Sequence, residues 1–74
     1  MEQHRTLACI AEGECARVRS LELGGILRRR LFDLGCIPGA EITCVRRGWG
    51  IAAYRICGAV IALRNRDASG VIIE

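Results

Sequence analysis

One stretch of this chain has a helical period, and the residues that end it constrain everything after it. Leu27, Leu31 and Leu34 fall at i, i+4 and i+7 with Ile26 beside them, which gathers an apolar stripe on one side of a helix. Arg28, Arg29 and Arg30 occupy much of the opposite surface. Gly35 follows at once and suits the left-handed C′ position that closes many helices. Cys36 then stands at C″, placed to pack back on Leu31, and Pro38 prevents continuation. The pattern predicts a helix of about ten residues from Gly25 to Leu34.

Elsewhere the period is two. Ala16 and Val18 alternate with Arg17 and Arg19, the signature of a half-buried strand with its arginine side in water. Ile42 and Cys44 alternate with Glu41 and Thr43 in a second strand that ends near Arg46-Arg47. Gly48-Trp49-Gly50 reads as a loop, since two glycines around a bulky ring weaken a strand interior. Ala52, Tyr54 and Ile56 mark a third strand, Gly58 a bend, and Ala59 to Leu63 a fourth with Ile61 and Leu63 on one face. Asn65 to Ser69 predicts a single helical turn, capped by Asn65 and closed by Gly70, before a last strand at Val71-Ile72-Ile73. Leu7 to Ala11 forms a short apolar patch expected to dock on a sheet edge, followed by a turn at Glu12-Gly13-Glu14. Five or six short strands and one helix cannot each bury a face in a flat sheet of this size. The expected fold is therefore mostly β, a small closed barrel, with residues 1–74 as one domain.

Composition narrows the function classes. At 74 residues and 8.1 kDa there is little room for a large enzyme cleft. The 51% hydrophobic content excludes a disordered chain, and the net charge of +3 falls short of a dedicated nucleic-acid binder. Every basic residue is arginine, a bias that codon composition accounts for. No apolar run approaches the ~20 residues of a membrane span, and no signal core follows the N-terminus, so the chain reads as soluble and cytoplasmic. Cys9, Cys15, Cys36, Cys44 and Cys57 contain no CxxC pair and are odd in number, which argues against both a zinc site and a disulfide framework. They read as buried structural thiols. His4 is the only histidine and lies in a terminus expected to fray.

Catalytic constellations are missing: no GxSxG, HExxH or phosphate loop occurs. Asp33, late in the helix, is read as an ion-pair partner of Arg29 or Arg30. The feature that suggests a contact surface is Arg46-Arg47 beside Trp49, because Trp and Arg are enriched at interaction hot spots. The competing reading folds Trp49 back as a lid on the core.

At the helix exit the sequence resembles a known family. Arg29-Arg30-Leu31-Phe32-Asp33-Leu34-Gly35-Cys36-Ile37-Pro38-Gly39 is similar to the RRLxxLGhxPG signature of FeoA proteins, small cytoplasmic accessories of bacterial ferrous iron transport. Tyr54-Arg55-Ile56-Cys57-Gly58, then Ile61-Ala62-Leu63-Arg64 and Asp67-Ala68, resembles the second signature. The likeness runs from about Leu7 to Ile73 and departs from the family pattern at Gly48-Trp49-Gly50-Ile51. It implies an SH3-like β-barrel and a non-enzymatic role beside FeoB, the membrane iron permease with a cytosolic G-protein domain. The expected contact residues are Arg28 and Arg29 on the helix and Arg46, Arg47, Trp49 and Tyr54 on the hairpin, with no metal site, no cofactor and no nucleic-acid partner. Attachment to the membrane would run through that partner alone. A divalent-metal-sensing module is the alternative, which requires thiols or His4 to converge in space.

Overall fold

A computed structural model describes residues 5–74, so His4 lies outside the described residues. Where side chains alternate, strands form: β2 (Cys15–Leu21), β3 (Glu41–Arg47), β4 (Ile51–Ile56) and β5 (Ala59–Arg64), joined by the two-residue β1 (Arg5–Thr6) and the wholly buried apolar β6 (Val71–Ile73). The periodic leucines form α1 (Gly25–Asp33), and Asn65–Ala68 forms the one-turn α2. A short 3₁₀ turn at Leu7–Cys9 follows β1.

The exit of α1 is a Schellman motif. Gly35 takes φ +98°, its N–H donates to the Phe32 carbonyl at 2.9 Å, and the Cys36 N–H donates to the Leu31 carbonyl at 2.9 Å. Both Leu31 and Cys36 are fully buried, as the helix-stop reading required. The rest of the stripe is shallower: Leu27 and Leu34 are half-buried and Ile26 is 81% exposed. α1 is thus held by one deep leucine and its C-terminal loop. Gly35 is required twice over, because a Cβ there would lie 2.6 Å from the Cys57 Sγ.

The strands pair in the order β1-β6-β2-β3-β4-β5, every neighbour antiparallel. β2 serves two ladders: Cys15 to Arg17 pair with β3, while Val18 to Leu21 pair with β6 across an irregularity between Val18 and Ser20. The expected barrel does not close. β1 and β5 are the two edges of the sheet and do not pair. β1 has only two residues to offer. The 3₁₀ turn and α2 pack on each other beside β5 and β6, and their buried side chains Leu7 and Ala68 fill the space a closing ladder would occupy. The N-terminal patch therefore does more than dock on an edge, since Leu7 and Ile10 lie in the core with Val18, Ile42, Ile56 and Val71.

Three further expectations change. The described residues contain one ion pair, Arg5–Glu14 at 2.9 Å, and Asp33 forms none. The Ala11 N–H and then Arg5 hold the Glu14 carboxyl below its usual range. α2 is preceded by Arg64 at the N-cap without a side-chain cap, so Asn65 does not play that part. Of the cysteines, Cys36 and Cys44 are buried but Cys9, Cys15 and Cys57 are exposed, and all are free thiols. Burial pushes the Cys36 thiol up to about 11, with a smaller contribution from nearby Cys57.

Candidate protein-docking surface

β3, β4 and β5 form a three-stranded meander whose two faces differ sharply. Ile42, Cys44, Ala52, Tyr54, Ile56 and Leu63 point inward and are buried. On the other face the register lays out rows across the strands: Thr43, Arg55 and Val60, then Arg46, Ala53 and Ala62. Ile51 and Arg64 form a last pair near the hairpin tip. The floor is small and apolar, and Ile51 and Val60 are 44% and 56% exposed. An open depression of about 220 Å³ lies at the hairpin end of the sheet, where the inward-facing Arg47 and Ala52 line it together with Arg46, Ile51, Ala53 and Ala62.

A bulge decides which arginine reaches this surface. Strict alternation from Ile42 and Cys44 would turn Arg46 inward and Arg47 outward. The register shifts between Cys44 and Arg46, pairing Arg46 with Ala53 and Arg47 with Ala52, so the two exchange faces. Arg46 is exposed. Arg47 is half-buried, and its guanidinium donates to the Ile10 carbonyl at 3.1 Å, the Leu7 carbonyl at 3.2 Å and the Tyr54 hydroxyl at 3.2 Å. Its backbone N–H donates to the Glu12 carboxylate at 2.9 Å. The fully buried Tyr54 donates its hydroxyl to the same Leu7 carbonyl at 3.1 Å. Burial pushes the Tyr54 phenol up, with the Arg47 guanidinium pulling against it. Both residues, expected at a partner contact, instead clamp the N-terminal turn onto the hairpin from within. Tyr54 has no surface to offer a partner.

Trp49 has the opposite placement. It is 100% exposed, which removes the lid reading. Its loop is nevertheless held at both sides: the Gly48 N–H donates to the Ile51 carbonyl at 2.8 Å, and the Gly50 carbonyl accepts from the Asn65 N–H at 2.9 Å. Gly50 takes φ +69°, a conformation that favours glycine. A braced turn therefore carries an indole into solvent, three residues along the chain from Arg46.

Arg28 and Arg29 are also exposed, and the Arg28 guanidinium stacks 5.0 Å above the Phe32 ring. They do not join the hairpin cluster. The C-terminal end of α1 meets the β4–β5 turn, where the Cys57 Sγ lies 3.7 Å from the Gly35 carbonyl, whereas Trp49 sits at the other end of β4. At about 3.3 Å per residue the length of that strand separates the two groups. The contact residues expected from sequence thus split into an α1 patch, a hairpin patch and an internal clamp. Among the described residues, no three His, Cys, Asp or Glu side chains converge to hold a metal ion.

Residues 5–74 match the FeoA domain family. The chain belongs to that family. Iron(II) transport protein A of Clostridium thermocellum shares 32% identity and superposes with a TM-score of 0.82, over 95% of this chain and 44% of that one. FeoA of Stenotrophomonas maltophilia shares 26% identity at a TM-score of 0.83, over 95% of this chain and 89% of that one. That protein was solved with zinc and is described as a prokaryotic SH3-domain protein and a candidate activating factor of ferrous iron transport. A manganese-dependent transcriptional repressor superposes at 0.80 with 17% identity, over 93% of this chain and 40% of that one, a likeness of fold alone. No curated protein sequence matches the chain significantly. Membership links the chain to ferrous iron transport and to a small, mostly β, SH3-like architecture, here with an open sheet. No helix among the described residues is long and apolar enough to cross a membrane.

Proposed function

We propose that this chain is a non-enzymatic, cytoplasmic accessory protein of ferrous iron transport that acts as a single domain by docking on the cytosolic part of a FeoB-type permease. The observation that carries the reading is the fully exposed Trp49 on a braced loop of the same hairpin that carries the exposed Arg46. A solvated indole gains most when a partner covers it, and Trp and Arg are the residues that most often anchor protein interfaces. Family membership supplies the process this docking serves. Arg28 and Arg29, with the half-covered Phe32, form a second contact at the far end of β4. Arg47 and Tyr54 serve the interface only by holding the hairpin in shape.

The test is titration of the reduced protein into the soluble G-protein domain of the cognate permease, with GDP and with a GTP analogue. Saturable binding that weakens in Trp49→Ala and Arg46→Ala, at unchanged thermal stability, supports the reading. No binding in either nucleotide state refutes it for the cytosolic domain.

A further inference from the structure

The β5 strand is an edge, and its register shows which of its backbone groups are free. Ile56 pairs with Ala59 across a two-residue turn in which Cys57 and Gly58 both have positive φ, at +48° and +85°. In such a hairpin the flanking pair is hydrogen-bonded, and hydrogen-bonded pairs recur at every second residue. Ala59, Ile61 and Leu63 therefore spend their N–H and C=O groups on β4, while those of Val60 and Ala62 point away from the sheet. β5 has β4 as its one neighbouring strand, and no backbone bond outside the ladders involves Val60 or Ala62 among the described residues. No proline, inward charge or bulge blocks this stretch, the usual devices by which a free edge is closed. α2 begins at Asn65, after β5 has ended, and packs against the strand without pairing with it.

The flanking side chains give the edge a chemistry. Val60 and Ala62 are exposed and continue the apolar floor of Ala53. Arg55 stands across from Val60, Arg64 across from Ile51, and Arg46 across from Ala53. None of the three takes part in an ion pair among the described residues. On β3 to β5 the one acid is Glu41, at the far end of β3 opposite Arg17 of β2.

We propose that β5 accepts an extended acidic segment of a partner protein as an added strand. The partner's backbone pairs with Val60 and Ala62, its apolar side chains lie on the Ala53–Ala62 floor, and its carboxylates face Arg55 and Arg64. Alternation explains the pattern, since residues two apart on the added strand share a face with these rows. Charge selects the occupant: a second copy of this chain would bring arginine rows against arginine rows on a molecule of net charge +3, whereas an acidic strand neutralises them. The proposal rests on the docking reading for the identity of the partner, and not for the chemistry of the edge.

The experiment uses the ¹⁵N-labelled full chain and three probes: an acetylated octapeptide of alternating glutamate and valine, the same peptide with lysine for glutamate, and vesicles of phosphatidylglycerol. The glutamate peptide is expected to shift and protect the Val60 and Ala62 amides saturably, with binding about tenfold or more weaker for the lysine peptide and in high salt. Val60→Pro removes an outward N–H without breaking a bond to β4, and should abolish the effect while the fold's amide pattern is kept. Should that variant unfold, Arg55→Glu with Arg64→Glu reverses the charge on an exposed face and should weaken binding by about tenfold or more. Equal binding of both peptides, no protection at Val60 and Ala62, self-association through β5, or binding to vesicles alone would overturn the proposal. The permease domain is titrated separately. If the peptide binds and the permease domain does not, the edge chemistry stands and the partner is wrong; if the permease domain binds Val60→Pro as well as wild type, docking stands and strand addition falls.

Discussion

Replacing Arg47 with alanine separates an internal clamp from a contact surface, because the two roles differ in what they do to the free protein. The guanidinium donates to two backbone carbonyls, Ile10 at 3.1 Å and Leu7 at 3.2 Å, and to the Tyr54 hydroxyl at 3.2 Å. Hydrogen bonds from a charged donor contribute roughly 1.5–3 kcal/mol each, the upper end applying when the acceptor is left dry. Here the Leu7 carbonyl keeps the Tyr54 hydroxyl at 3.1 Å, and a half-buried arginine leaves a path for water to the Ile10 carbonyl. Counting one bond fully and the others weakly, Arg47→Ala should lower the unfolding free energy by about 2–3 kcal/mol. A chain of this length unfolds with an entropy of ~0.15 kcal/mol/K, so the melting temperature should fall by about 13–20 °C.

Tyr54→Phe should lose about 1 kcal/mol, since Leu7 retains the arginine and no buried donor is stranded. Because both side chains converge on one carbonyl, the double variant should depart from additivity by about 0.5–1 kcal/mol. Urea unfolding followed by circular dichroism measures all three. An Arg47→Ala loss below about 0.5 kcal/mol, the range of ordinary surface substitutions, would refute the clamp and return Arg47 to the surface.

Trp49→Ala should leave stability within about 0.5 kcal/mol, because the ring touches nothing that folding buries, while weakening partner binding; calorimetry of unfolding and of binding checks both. Gly35→Ala places a Cβ 2.6 Å from the Cys57 Sγ at φ +98°, and should cost about 2 kcal/mol, part of it recovered in the Cys57→Ala background by removing the clash. Cys36 is fully buried and its thiol is held up at about 11 from an ordinary value of 9.0. The unfolded chain therefore loses this proton first as pH rises, and its share of stability is present below pH 9 and falls by up to ~2.7 kcal/mol towards pH 11. Urea titrations at pH 8, 9 and 10 should show that decline, reduced in Cys36→Ala; an unchanged decline would place its origin elsewhere.

How much of this was legible in the sequence depends on whether a residue's role follows from its neighbours along the chain or across it. The α1 exit is local. Gly35 at C′ and Cys36 at C″ close a motif whose bonds reach back three and five residues, and the structure forms it as read. The strands β2 to β5 follow equally from period two, which neither the two-residue β1 nor the wholly apolar, buried β6 displays. What a period cannot report is its own interruption. Nothing about Val45 as a residue type announces a bulge, yet the register shift there exchanges Arg46 and Arg47. The pair expected to act together on a surface is thereby divided into one exposed arginine and one inward clamp.

Barrel closure failed for a related reason. Strand counting assumes that free edges pair, but Leu7 and Ala68 arrive from non-strand segments to fill the core between β1 and β5. That substitution leaves the backbone groups of Val60 and Ala62 open. The open edge and the divided arginine pair then share a consequence. The bulge places Arg46 on the outer face, across β4 from Ala62, so the irregularity that hides one arginine in the clamp sets the other in the row that ends at the unpaired edge.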